Sequence, residues 1–83
     1  MSQNSLIEMK SPLSGVFYRS PGPEQPPFVE VGNAVKRGQT LCLLETMKVF
    51  TRIKSPVDGE VVEILCANEA TVEKNQILFH LKR

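Results

Sequence analysis

"KSPLSGVF", Lys10–Phe17, returns as "KSPVDGEV", Lys54–Val61. A second pair follows it. "VKRGQTL", Val35–Leu41, returns as "VEKNQIL", Val72–Leu78. The first pair is offset by 44 residues (54 minus 10) and the second by 37 (72 minus 35). Self-similarity of this kind marks a chain built from two related units, here of about forty residues each. The offsets differ by seven (44 minus 37), and the surplus lies in the first unit, where "SPGPEQPP", Ser20–Pro27, has no counterpart.

Each unit reads as short strands broken by turns. "LIEMK" (6–10), "GVFYR" (15–19), "FVEVG" (28–32), "RIK" (52–54), "GEVVEIL" (59–65) and "ILFHL" (77–81) carry apolar residues at period two, the mark of half-buried strands. "TLCLLE" (40–45) is a more continuous apolar run and suits a strand buried on most sides. Ser-Pro followed three residues later by Gly15 or Gly59 signals a tight turn in both units. Gly38 and Asn75 occupy matched positions before a strand, where the left-handed backbone that Gly and Asn tolerate is expected. No segment longer than about ten residues carries a helical stripe. The pattern predicts an all-β domain over residues 6–83, about eight short strands in two sheets, behind a flexible polar tail at 1–5.

Composition narrows the function. Eighty-three residues make one small domain, and a net charge of +1 without a basic block or acidic tail gives no footprint for nucleic acid. No apolar run is long enough to span a membrane, and no apolar signal region follows the polar "MSQNS", so a cytoplasmic protein is expected. Cys42 and Cys66 lie in apolar stretches without CxxC spacing and read as reduced, partly buried thiols. His80, alone on an alternating segment, reads as structural. No Ser/His/Asp set, metal cluster or phosphate loop is present, so neither catalytic residues nor metal ligands are expected.

One place breaks the local rules. Counted by the second offset, Glu45 matches Lys82, so the segment after Glu45 in "LLETMKVF" (43–50) is the joint between the units. A strand ending near Thr46 and another starting near Val49 leave Met47 and Lys48 as a two-residue hairpin turn. Such turns favour Asn-Gly or Gly-Gly, because positive φ is costly with a Cβ. Met-Lys meets that cost, on the order of 1 kcal/mol per residue, and exposes an apolar side chain as well. A broken rule at one point often has a functional reason, although a hairpin tip also accepts any solvated lysine.

Glu45-Thr46-Met47-Lys48, set between two related β units, resembles the biotinyl-lysine motif of biotin carboxyl carrier domains. The likeness runs from about Ile7 to Leu81 and is most specific over "GVFYRSPGPEQPPFVEVG", which is similar to carrier subunits of acetyl-CoA carboxylase, with Ser20–Pro27 as their protruding thumb. The resemblance implies a flattened barrel, or sandwich, of two four-stranded antiparallel sheets with quasi-two-fold symmetry. It implies covalent biotin on Lys48, with Met47, Thr46 and Glu45 forming the motif read by a biotin protein ligase. It implies that the thumb residues Pro21, Gly22, Pro23, Glu24 and Gln25 lie near the biotin. It also implies a non-catalytic carrier that takes a carboxyl group from biotin carboxylase to carboxyltransferase, most simply for malonyl-CoA formation in fatty acid synthesis. Position 46 is Thr where the family usually has Ala or Ser, and position 49 is Val where a second Met is usual. Thr46 is also similar to the lipoyl motif Glu-Thr-Asp-Lys-Ala. A lipoyl carrier, or an unmodified barrel used as an adaptor or structural module, are therefore the alternatives.

Overall fold

The chain forms eight strands, of which the two-residue β3 and β7 fall outside the segments expected from the sequence: β1 Leu6–Lys10, β2 Gly15–Tyr18, β3 Ala34–Val35, β4 Thr40–Thr46, β5 Val49–Lys54, β6 Gly59–Ile64, β7 Thr71–Val72 and β8 Ile77–Lys82. This computed structural model describes residues 6–83, so the tail expected at 1–5 lies outside the described residues. The strands form two four-stranded antiparallel sheets, ordered β1-β8-β6-β3 and β5-β4-β2-β7. Moving every strand of the first sheet four places along the chain, cyclically, reproduces the second. The repeat in the sequence is therefore a two-fold repeat in space, and each sheet takes two strands from each half. No helix of the described residues is long and apolar enough to cross a membrane.

Alternation decides what is buried. Phe17, Val35, Leu41, Leu44, Ile53, Val61, Val72, Leu78, Phe79 and Leu81 fill the space between the sheets, with Cys42 and Val29 beside them. The rings of Phe17 and Phe79 meet at 5.9 Å and 52° across the two sheets. Each such side chain contributes about 1.5–3 kcal/mol by leaving water, which a domain this small needs. The continuous run in β4 has a geometric cause. A register shift between Thr40 and Cys42 gives Leu41 no partner of its own on β5, and Leu41 and Cys42 are buried in succession. Leu78 and Phe79 repeat this where β8 shifts register against β1.

The turns couple the halves. Ser11 N–H donates to the Gln76 carbonyl at 2.8 Å, and Asn75 N–H donates to the Ser11 carbonyl at 2.7 Å. In the other half Ser55 N–H donates to the Gln39 carbonyl and Gly38 N–H to the Ser55 carbonyl, both at 2.8 Å. Gly38 (φ 86°) and Asn75 (φ 74°) take the left-handed backbone that their residue types suggested. At Gly15 and Gly59 a neighbouring strand passes close to the backbone. A Cβ on Gly15 would sit 2.5 Å from the Glu45 carbonyl oxygen, and one on Gly59 would strike the Lys82 carbonyl.

One expected strand is absent. Residues 28–32 form no strand, and the short β3 follows at Ala34–Val35. The reason is a turn: Asn33 N–H donates to the Glu30 carbonyl at 3.0 Å, Glu30 N–H donates to Asn33 Oδ1 at 2.9 Å, and Gly32 has φ 96°. The alternation there misleads, because Val29 is buried while Val31 is exposed.

Replacing Gly59 with Ala pushes a methyl group into a backbone carbonyl that cannot move without parting β6 from the end of β8. We expect Gly59→Ala to destabilise the domain by about 1–3 kcal/mol, seen as a lower urea midpoint at unchanged slope. Asn75→Gly removes a strained Cβ instead, and its midpoint should hold or rise.

Candidate functional site

The β4–β5 hairpin closes where the repeat ends. Thr46 pairs with Val49, and Met47 and Lys48 form the two-residue turn with φ 52° and 65°. Positive φ at both central positions is the signature of a type I′ turn, whose twist matches the flanking strands. Met47 is 91% exposed, and Lys48 is exposed beside it. The two departures from the usual motif, Thr46 and Val49, turn out to be cross-strand partners. A β-branched pair at the last rung stiffens both strand ends. Among the described residues no carboxylate lies within ion-pair distance of Lys48; on the other sheet His80 Nδ1 and Glu63 Oε1 lie 3.0 Å apart.

Glu45 faces outward from β4 and accepts a hydrogen bond from the Tyr18 hydroxyl at 2.9 Å. Tyr18 also meets Phe50 of β5, ring centroids 5.8 Å apart at 55°. The tie runs across three adjacent strands, from β2 through β4 to β5, one rung below the turn. Its charge consequence is visible on the phenol. Donation to Glu45 raises the Tyr18 pKa above its ordinary 10.0, and burial and the carboxylates of Glu45 and Glu69 add to the rise.

Tyr18 and Phe50 also wall a cavity of about 270 Å³, which Leu43, Asn68, Glu69 and the loop residues Ser20, Pro21, Gly22 and Pro23 complete. The Pro-rich loop is braced from inside and below. Ser20 Oγ donates to the Gly22 carbonyl at 2.9 Å, Gln25 N–H to the Gly22 carbonyl at 3.2 Å, and Phe28 N–H to the Arg19 carbonyl at 2.8 Å. At its base, Arg19 N–H donates to Asn68 Oδ1 at 2.8 Å and the Arg19 guanidinium to the Val29 carbonyl at 3.1 Å. Of the loop residues singled out from the sequence, Pro21, Gly22 and Pro23 line the cavity. Glu24 and Gln25 are exposed outside the lining.

The structure therefore brings Lys48, Met47, Thr46 and Glu45 together on one hairpin, and sets the inner part of the loop against the same sheet. Sequence reasoning missed Tyr18, Leu43, Phe50, Asn68 and Glu69. Tyr18, Leu43 and Phe50 share the outer face of one sheet by period two. Asn68 and Glu69 come from the other repeat, and nothing local to the hairpin points to them. Cys42 and Cys66 take no part. Burial pushes the Cys42 thiol up to about 12 and raises that of Cys66, so both stay protonated at neutral pH.

Two sheets exchanged between two repeats, with a lysine at the tip of the joining hairpin, are the architecture of the biotinyl/lipoyl domain. The family model described as "Biotin-requiring enzyme" matches residues 7–81, and the chain belongs to that family. It is 47% identical over 77 residues to the biotin carboxyl carrier protein of acetyl-CoA carboxylase from Nostoc sp., covering 93% of this chain and 42% of that protein. It is 47% identical over 82 residues to the protein of the same name from Streptococcus pyogenes, covering 99% and 48%. The chain thus spans about half or less of the length of these relatives. Among solved structures, the urea carboxylase of Kluyveromyces lactis shares the fold at a TM-score of 0.77 and 22% identity, over 98% of this chain and 6% of that one.

Tyr18 is the chain's one tyrosine, so its phenol can be titrated by absorbance without interference. The midpoint should lie above 10.0 and fall toward it in Glu45→Gln. Because the folded state holds the phenol protonated, its stabilising effect is present below the ordinary tyrosine pKa. The effect is lost as pH rises through the higher folded value.

Proposed function

We propose that Lys48 is the covalent attachment point of biotin and that the domain serves as the carboxyl carrier of a biotin-dependent carboxylase, acetyl-CoA carboxylase by the names of its relatives. The observation that carries this reading is the hairpin itself. Both Met47 and Lys48 adopt a backbone that costs on the order of 1 kcal/mol each, and the result is an amine held out on a braced protrusion. Lys10, Lys36, Lys54, Lys74 and Lys82 are also exposed, so exposure does not single out Lys48. Position at the tip of the β4–β5 hairpin does, since a convex tip enters another protein's cleft where an amine along a strand cannot, and the turns near Lys36 and at Lys74 are instead bonded onto the opposite half.

A lysine amine attacks only when neutral, and an ordinary one has a pKa near 10.4. Among the described residues no group is arranged to remove that proton: Glu45 is spent on Tyr18, and a carboxylate near an ammonium would hold it charged. Activation therefore belongs to a biotin protein ligase, and the chain contributes presentation. Met47 offers the ligase an apolar handle beside the amine, while Glu45, Tyr18 and Phe50 fix the angle at which the tip leaves the sheet.

The residues present also fit the attached group. Biotin, when bound, supplies a ureido nitrogen that accepts and gives up a carboxyl group. The cavity beside the hairpin has prolines, Leu43 and Phe50 for the apolar part of such a ring, and Ser20, Tyr18, Asn68 and Glu69 for its polar edge. The Pro-rich loop acts as a thumb that limits how far the arm wanders, and tethering raises its effective concentration at a biotin carboxylase and a carboxyltransferase in turn. The barrier-lowering groups sit in those partners, so the domain is a non-catalytic carrier.

Incubation with a biotin ligase, ATP and biotin should add one biotin to the chain by intact mass and none to Lys48→Arg. An unmodified parent, or a modified Lys48→Arg chain, overturns the assignment. Avidin capture of the product separates biotin from a lipoyl group.

A further inference from the structure

Glu69 stands where the fold asks for glycine. It takes φ 68°, and its counterpart 37 residues earlier is Gly32, at φ 96°. The two residues do the same backbone work. Gly32 N–H donates to the Val61 carbonyl at 2.8 Å, and Glu69 N–H donates to the Phe17 carbonyl at 2.6 Å. The first repeat meets this need with the residue that bears it cheaply, and the second meets it with a strained side chain. That side chain is exposed, so the core gains nothing from it. What it reaches is the cavity beneath the Pro-rich loop, whose wall it shares with Tyr18, Asn68, Pro21 and Phe50.

We infer that Glu69 selects what settles in this cavity: its carboxylate accepts a hydrogen bond from the N–H of a neutral cyclic urea and turns away a ring that carries negative charge. The inference rests on the biotin reading above, since a cyclic urea is the head group of biotin. The charges around the cavity agree with it. Glu45 stands at the rim, tied to the Tyr18 hydroxyl. The raised pKa of Tyr18 registers both carboxylates at that wall. Attachment through Lys48 converts the ammonium at the hairpin tip into a neutral amide. The Arg19 guanidinium is turned to the Val29 carbonyl, and Arg52, in register with Leu43 two strands from Tyr18, is not part of the lining. An idle carrier arm is uncharged and a loaded one is anionic, so a pocket with this preference holds the arm at rest and frees it for delivery.

The test uses Lys48→Gln protein, which reproduces the neutral tip, and two probes: 2-imidazolidinone and its anionic relative 2-oxoimidazolidine-4-carboxylate. Two-dimensional amide NMR follows the titrations. The neutral ring should shift the amides of Tyr18, Phe50 and Asn68, and the anionic ring should bind about fivefold more weakly. Glu69→Gln should bring the two within about twofold. Glu69→Gly should abolish the preference while its melting temperature holds or rises, which separates selection from folding. Equal binding of both rings with Glu69 in place, a preference unchanged in Glu69→Gln, or no shift of the pocket amides by the neutral ring would each overturn the inference. Attachment of biotin to Lys48 is read independently by intact mass. A biotinylated chain without the preference loses only this inference, and an unmodified chain that shows it loses the carrier reading.

Discussion

The molecule is held together by turns that reach across to the other repeat. Ser11 is buried in the partner turn around Gln76, and Ser55 in the partner turn around Gln39. Each serine spends its backbone groups on the opposite half and its hydroxyl on a carbonyl two residues on, Leu13 for Ser11 and Val57 for Ser55. Among the described residues, no buried side-chain nitrogen or oxygen is left without a partner. Neither half contains the acceptors its own turn needs, and neither contains a complete sheet. A half chain would therefore expose both an apolar face and unpaired backbone groups. The two close passes, Gly15 over Glu45 and Gly59 over Lys82, each lie within one half, and the two-fold carries one onto the other.

On this doubled scaffold the site is built once. The two-fold relation carries Glu45 onto Lys82, Leu43 onto His80 and Phe50 onto Leu6. Leu6 pairs with Lys82 as Phe50 pairs with Glu45. On one outer face these positions hold an aromatic, a leucine and a carboxylate tied to Tyr18. On the other they hold His80 paired with Glu63, with Glu8 in register beside it. The extra length of the first repeat, the Pro-rich loop, lies over the apolar face. The hairpin that bears Lys48 corresponds across the axis to the end of the β1–β8 pair, where Leu6 is in register with Lys82. Symmetry supplies rigidity twice over, and the departures from symmetry gather around one amine.

That division explains what the sequence could disclose. Six of the strands, the repeat, the turns at Gly38 and Asn75, and the hairpin at Met47 and Lys48 follow from period, offset and the backbone limits of residues with a Cβ, all of which are local, whereas β3 and β7 are two residues each, too short for a period to show. The strand expected at 28–32 failed because alternation cannot distinguish a strand from a turn that buries Val29 and releases Val31. The Asn33 side chain that makes this turn acts through a hydrogen bond rather than through hydrophobicity. The cavity was illegible because its wall combines β2, β4, β5, the Pro-rich loop and the Asn68–Glu69 turn, five segments from both repeats. Glu69 left a trace in hindsight: a glutamate aligned, by the offset of 37, with a glycine.

Among the described residues, Met47, Lys48 and Glu69 take left-handed backbone besides the glycines and the structural Asn75, and all three stand on the β4–β5 hairpin or at the cavity beside it. Strain of this kind persists only where surrounding contacts over-determine the chain. Here the Thr46–Val49 rung and the Tyr18–Glu45 and Tyr18–Phe50 contacts hold the hairpin, and the bond from Glu69 N–H to Phe17 holds the turn. On the carrier reading proposed above, the amine has to be rooted stiffly, because an amine on a loose loop would sample orientations that no cleft could select. The reciprocal turns and the shared core supply that stiffness, and the strained residues spend it on display.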